Sequence, residues 1–231
     1  MYQQYSTTYS TEYDMGLRQF MLSVFNNMSI GLAISAVVSY FVGTSPELLA
    51  LFFGGPQKYV VMFAPLVFVF AFSFGISSMN SGLARMLFFV FAAVMGLSLA
   101  TIFAVFKMGS IANAFFSTAA MFGAMSLYGY TTKRDLTNFG AFLIMGAMGL
   151  CIASVINIFL QSSVLALVVS AIAVLVFCGL TAFDVQNLKN IYYEVDGEER
   201  EKAGILGALS LYLNFINIFT SMLQLFGERK D

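Results

Sequence analysis

Histidine and tryptophan are both absent from the 231 residues, and cysteine occurs only twice. Without imidazole there is no His general base, no Ser-His or Cys-His nucleophile pair and no zinc site that needs a His ligand. Two cysteines cannot found a disulfide framework or a Cys-rich metal site. Charge is equally scarce. Charged residues make up 10 % of the chain and hydrophobic residues 59 %, against about 25 % charged in an ordinary soluble domain. Eleven bases and twelve acids cannot wet the surface of a globule this size, so lipid is the expected solvent for most of it. The net charge of −1, with no basic patch, gives a nucleic-acid partner nothing to bind.

What the chain does have is long apolar runs. After a polar stretch, Met1 to Gln19, rich in Tyr, Thr, Ser and Gln, such runs recur with short breaks. The stretch lacks a signal peptide's hydrophobic core and cleavage site and reads as a polar tail. The predicted spans are Phe20–Val42, Tyr59–Ile76, Leu83–Phe106, Ile111–Tyr128, Phe139–Leu160, Val164–Phe183 and Ala203–Phe226, each long enough to cross about 30 Å of hydrocarbon as a helix. Turn residues mark the breaks, among them Ser45-Pro46, Gly54-Gly55-Pro56, Asn80-Ser81-Gly82 and Gln161-Ser162-Ser163. The expected organisation is a tail over 1–19 and one seven-helix transmembrane domain over 20–231. Tight connections make antiparallel hairpins of the third and fourth spans and of the fifth and sixth.

Orientation follows the bases. With the N-terminus cytoplasmic, Arg18, Arg85, Lys133, Arg134, Lys189, Arg200 and Lys202 lie inside, and Lys58, Lys107, Arg229 and Lys230 outside. If the last span dips in and returns, Arg229 and Lys230 move inside as well. Small residues at Gly31, Ser35 and Ser39, and at Ala92, Gly96 and Ala100, recur every four positions and predict close helix packing. Pro65 should bend the second span. In the absence of Trp, the interfacial belt falls to Tyr40, Tyr59, Tyr128, Tyr130, Tyr192 and Tyr193.

Ionisable groups inside spans are costly, so they are where function is sought first. Asp184 follows some twenty uncharged residues at the end of the sixth span, in Ala182-Phe183-Asp184-Val185-Gln186. Either the helix ends there and the carboxylate meets headgroup water, or it continues and Asp184 meets the last span. That span places Asn214 and Asn217 on one face at i, i+3 spacing. In the second case protonation of Asp184 would switch a polar contact, and the ionised form would attract a cation, with Asp184 as a weak Ca²⁺ contact. The cluster Lys133-Arg134-Asp135 reads as a membrane-edge anchor. The acidic run Glu194 to Lys202 lacks EF-hand ligand spacing and reads as a solvated loop, and Cys151 and Cys178 read as small hydrophobes. The groups needed by rhomboid, presenilin-type or HExxH proteases are missing, so no enzymatic activity and no resident cofactor are expected.

Three stretches in order, Ser126-Leu127-Tyr128-Gly129-Tyr130-Thr131-Thr132-Lys133-Arg134-Asp135-Leu136, Ala182-Phe183-Asp184-Val185-Gln186 and Leu209-Ser210-Leu211-Tyr212-Leu213-Asn214-Phe215-Ile216-Asn217, resemble the transmembrane Bax inhibitor motif family in its bacterial branch. The resemblance covers nearly all the chain after the tail. It implies an all-α membrane protein, a bundle in which six helices surround the C-terminal one. It also implies a pH-sensitive calcium leak in the cell inner membrane, with Ca²⁺ or H⁺ as cargo and a role in stress response. In some bacterial relatives the implied role is instead that of a non-conducting adaptor for a membrane-anchored AAA protease. The family's acidic pair is matched at Asp184, whereas its second position reads Asn214. Asp184, Asn214 and Asn217 are thus the candidate ion-pathway and pH-sensing residues.

Overall fold

A computed structural model describes residues 2–230, with side chains from Met15 onward except those of Ala71, Ser73 and Ser77. Met1 and the side chains of the tail as far as Asp14 lie outside the described residues. The elements are α1 (Tyr2–Thr44), α2 (Pro46–Phe53), α3 (Gln57–Gly75), α4 (Ser81–Leu99), α5 (Thr101–Val105), α6 (Met108–Thr131), α7 (Thr137–Leu160), α8 (Ser163–Glu194) and α9 (Gly197–Phe226). Helix is the expected outcome for apolar runs in hydrocarbon, where backbone groups must find their partners within the segment. Six helical stretches are long and apolar enough to span on their own: α1 from Met15, α4 continued by α5, α6, α7, α8 and α9. α2 and α3 meet at 79°, and counted as one bent span they bring the total from six to seven. α3 runs through Pro65 without interruption.

Local chemistry sets the breaks. Ser45 caps α2 by accepting from the Leu48 N–H, with Pro46 in the first helical position. Asn80 Oδ1 accepts from Leu83 N–H at 2.8 Å to start α4, and Ser162 Oγ accepts from Leu165 N–H at 3.3 Å to start α8. α7 ends on Gln161 in the left-handed region, φ 51°, a common helix stop.

α9 is the axis of the bundle. Of its most apolar stretch 61 % is buried, against 33 % or less in the other spans. Four helices, α1, α4, α6 and α8, pack on it directly, while α3 leans on α4 and α7 on α8 in an outer layer. The surrounding six are therefore two shells, four and two. The fifth and sixth spans, α7 and α8, pack as the predicted hairpin. The third and fourth do not: α6 packs on α8 and α9 and hardly touches α4. Aromatic packing of Phe115 and Phe122 around Phe215 holds α6 to α9 instead.

The two small-residue stripes meet each other. A Cβ on Gly96 would lie 2.7 Å from the Ser35 carbonyl oxygen, so only glycine allows this approach of α1 and α4. Gly129 plays the same part between α6 and α8, where its backbone faces the Ala182 carbonyl. Tyr40, Tyr59, Tyr128 and Tyr193 are exposed, as an interfacial belt requires, but Tyr192 is 7 % exposed and belongs to the core. The core reaches back to Leu17 on α1.

α9 runs the full length of the bundle. Beyond it Phe106 and Arg229 form an antiparallel bridge. There the Lys107 N–H donates to the Glu228 carbonyl at 2.9 Å and the Lys230 N–H to the Val105 carbonyl at 2.8 Å. The chain after Phe226 is thus strapped across the α5–α6 connection, at the opposite end from the α8–α9 turn. α9 is one unbroken helix of 30 residues and does not turn back on itself.

Candidate functional site

α8 continues through Asp184 for another ten residues to Glu194. Leu188 and Tyr192, buried in the core, extend its apolar face beyond the polar Gln186 and Asn187. Asp184 is consequently a side chain within the helix, partly buried against α9. Its Oδ2 accepts from Ser210 Oγ at 2.6 Å and from Asn214 Nδ2 at 2.8 Å. Both donors are neutral, and no ion pair among the described residues includes Asp184. Lys189, the nearest base in sequence, turns away to α6. Its Nζ donates to the Tyr130 carbonyl at 2.5 Å and lies 5.1 Å from the Tyr130 ring centre. A carboxylate without a counter-charge, with one oxygen held and Oδ1 free of described hydrogen bonds, can take up either a proton or a cation there.

Ser210 carries no charge, and the signal for it was its place in the stretch Leu209 to Asn217, four residues before Asn214. Asn217 does not join the carboxylate. Its Nδ2 donates to the Leu213 carbonyl at 2.8 Å, because it sits a further turn along α9, about 4.5 Å in rise from Asn214. It opens instead onto a cleft of about 560 Å³ between α7, α8 and α9. Asn157, Ser170, Ser221 and Gln224 line the same cleft. Together Ser210, Asn214, Asn217, Ser221 and Gln224 recur at alternating four- and three-residue steps, one polar row on α9. The row begins at Asp184 and ends in the cleft.

A second buried polar cluster lies on the other side of α9. Ser35 Oγ donates to the Ala92 carbonyl at 2.6 Å and lies 2.6 Å from the Tyr212 hydroxyl, which donates to it. Edge-on contacts with Phe88 and Phe91 enclose the Tyr212 ring. These groups are fully satisfied and tie α1, α4 and α9 together. The loop from Thr132 to Leu136 is also pinned: Gln186 donates to the Arg134 carbonyl at 2.7 Å and accepts from the Leu136 N–H at 2.8 Å. In the acidic turn, Arg200 binds Asp196 and the Val195 carbonyl and stacks 4.3 Å from the Tyr192 ring centre. Cys151 and Cys178 are both free thiols. Among the described residues no three His, Cys, Asp or Glu side chains converge as metal ligands would.

Residues 17–231 match the family described as inhibitor of apoptosis-promoting Bax1. The chain is 42 % identical over 219 residues to the inner membrane protein YbhL of Escherichia coli K12, covering 93 % of this chain and 94 % of that protein. It is 40 % identical over 227 residues to an uncharacterised protein of Rickettsia prowazekii, covering 98 % and 96 %. With an uncharacterised membrane protein of Streptococcus pyogenes it shares 35 % identity over 221 residues, covering 94 % and 96 %. The matched region holds the six to seven candidate spans almost entirely, with the pinned loop and the α8–α9 carboxylate contact. The chain belongs to the Bax inhibitor family of integral membrane proteins.

Proposed function

We propose that this protein is a cation leak pathway, with Ca²⁺ as cargo and Asp184 as its polar gate. The observation that carries the reading is the polar row of α9. In the most buried helix of the bundle, Ser210, Asn214, Asn217, Ser221 and Gln224 line up from the Asp184 carboxylate, which has no counter-charge, to an open cleft. Polar groups at membrane depth are expensive and mark ion pathways. Asp184 supplies the charge that draws a cation in, and the amide and hydroxyl oxygens replace part of its hydration shell. The hydrogen bonds from Ser210 and Asn214 hold α8 to α9, so the same contact closes the path at rest. Protonation removes the charge and makes flux depend on pH.

The protein sits in the inner membrane, as the name of its Escherichia coli relative indicates for that protein. Its end bearing Arg18, Arg85, Lys133 and Arg134 faces the cytoplasm, in accord with the positive-inside rule. It works without a cofactor and without catalysis. Purified protein in liposomes loaded with a calcium dye tests the reading. Wild type should raise flux well above that of empty liposomes, Asp184→Ala should change it at least tenfold, and Asp184→Asn should abolish its pH dependence. Wild-type flux equal to that of empty liposomes ends the channel reading. Flux unchanged in Asp184→Ala ends the gate assignment.

A further inference from the structure

At the α8–α9 turn end of the bundle a second cavity, of about 280 Å³, opens between α1, α4, α8 and α9, away from the Asp184 contact. Its walls include Gln19, Ser23 and Asn27 from α1, Arg85 from α4, and Arg200 and Glu201 from α9. Asn27 is 6 % exposed and has no side-chain hydrogen bond among the described residues. Its amide lines the cavity and is left to find its hydrogen-bond partners there. Arg85 and Glu201 carry opposite charges on the same small cavity, yet neither forms an ion pair, with the other or with any described residue. Arg200 is already committed to Asp196, the Val195 carbonyl and the Tyr192 ring. The space between the free guanidinium and the free carboxylate suits a ligand that is itself a zwitterion.

The rest of the geometry narrows the class. A guanidinium fork matches phosphate, and the Asn27 N–H groups need acceptor oxygens. A carboxylate matches an ammonium. One turn deeper, on the faces of Asn27 and Arg85, lie Ile30, 40 % exposed, and the partly buried Phe89. These are apolar positions suited to hydrocarbon chains. Basic pockets between membrane helices at the level of the headgroups are a recurrent setting for lipid recognition. We propose that this cavity binds a phosphoethanolamine group carried on a membrane phospholipid, with the phosphate on Arg85 and Asn27 and the ammonium on Glu201.

Native mass spectrometry of the full chain in detergent, titrated with phosphatidylethanolamine, phosphatidylglycerol or phosphatidylcholine of identical acyl chains, tests this. Wild type should bind phosphatidylethanolamine at least fivefold more tightly than the other two. Glu201→Gln should remove that preference and leave phosphatidylglycerol binding unchanged, whereas Arg85→Gln should weaken all three lipids and Arg85→Lys should restore part of the loss. Both residues lie at the exposed rim, and an unchanged melting temperature confirms that the variants are folded. Displacement of bound lipid by soluble phosphoethanolamine would identify the headgroup as the recognised part. Failure to displace, with the lipid preference intact, would show that the chains are needed as well. Equal affinity for the three lipids in wild type overturns the proposal even if no variant folds. So does a preference untouched by both Arg85→Gln and Glu201→Gln.

Discussion

The Asn214 amide donates to Asp184 Oδ2 at 2.8 Å across the α8–α9 interface. An amide is a neutral donor and a carboxylate is a charged acceptor, so the identity of residue 214 decides how many protons the contact can handle. Asn214→Asp puts two carboxyl groups within hydrogen-bond distance of each other. Interacting groups lose their protons in two macroscopic steps that belong to the pair. Calcium flux from liposomes, measured across pH, should therefore show one step in wild type and two in Asn214→Asp. Identical profiles would mean that Asp184 does not govern the leak.

The contact of Ser35 with Tyr212 makes a structural prediction. The Tyr212 hydroxyl is enclosed by Phe88, Phe91 and α1 and has Ser35 Oγ as its described partner. Ser35→Ala strands that hydroxyl, at a cost of about 1–3 kcal/mol. Tyr212→Phe removes the hydroxyl itself and should cost less, because Ser35 keeps its bond to the Ala92 carbonyl. The double variant should then be no worse than Ser35→Ala alone, since Tyr212→Phe removes the stranded hydroxyl. Equilibrium unfolding in mixed detergent reads all three. Strict additivity would show that the two hydroxyls do not interact.

The spans were legible because each is an uninterrupted apolar run, and lipid leaves such runs no alternative to helix. The turn chemistry at Ser45-Pro46, Asn80 and Ser162 was legible for a similar reason, as a capping side chain acts on its own neighbours. Relations between helices were harder to read. Loop length made a hairpin of the third and fourth spans, yet α9 offers α6 the Phe215 ring and takes it from α4. At the site, charge scarcity pointed to Asp184 and spacing to Asn214. The i, i+3 rule alone could not say that the carboxylate would settle between Ser210 and Asn214, one helical turn apart, and leave Asn217 to the cleft. Asn27 and its cavity were invisible, because nothing in the polar surroundings of Ser23 and Asn27 along α1 marks the residue as buried.

The loop that joins α6 to α7 offers a test of local electrostatics outside the membrane. Thr137 donates both its hydroxyl, at 2.6 Å, and its N–H, at 2.9 Å, to Asp135 Oδ1 at the start of α7. These two bonds, the hydroxyl first, hold the Asp135 carboxyl below the usual carboxylate range. A carboxyl group whose folded value is depressed stabilises the fold above its unfolded value and loses that contribution as pH falls through the folded one. The Asp135–Thr137 turn ahead of α7 should therefore persist through mild acid and loosen only below the ordinary range for Asp. Carbon-detected NMR of labelled Asp, assigned with Asp135→Asn, should give an Asp135 midpoint that moves up in Thr137→Ala, where the larger of the two contributions is gone. Thr137→Ser keeps a hydroxyl and should stay close to wild type. An Asp135 midpoint that ignores the loss of the Thr137 hydroxyl would mean that this turn is not formed in solution.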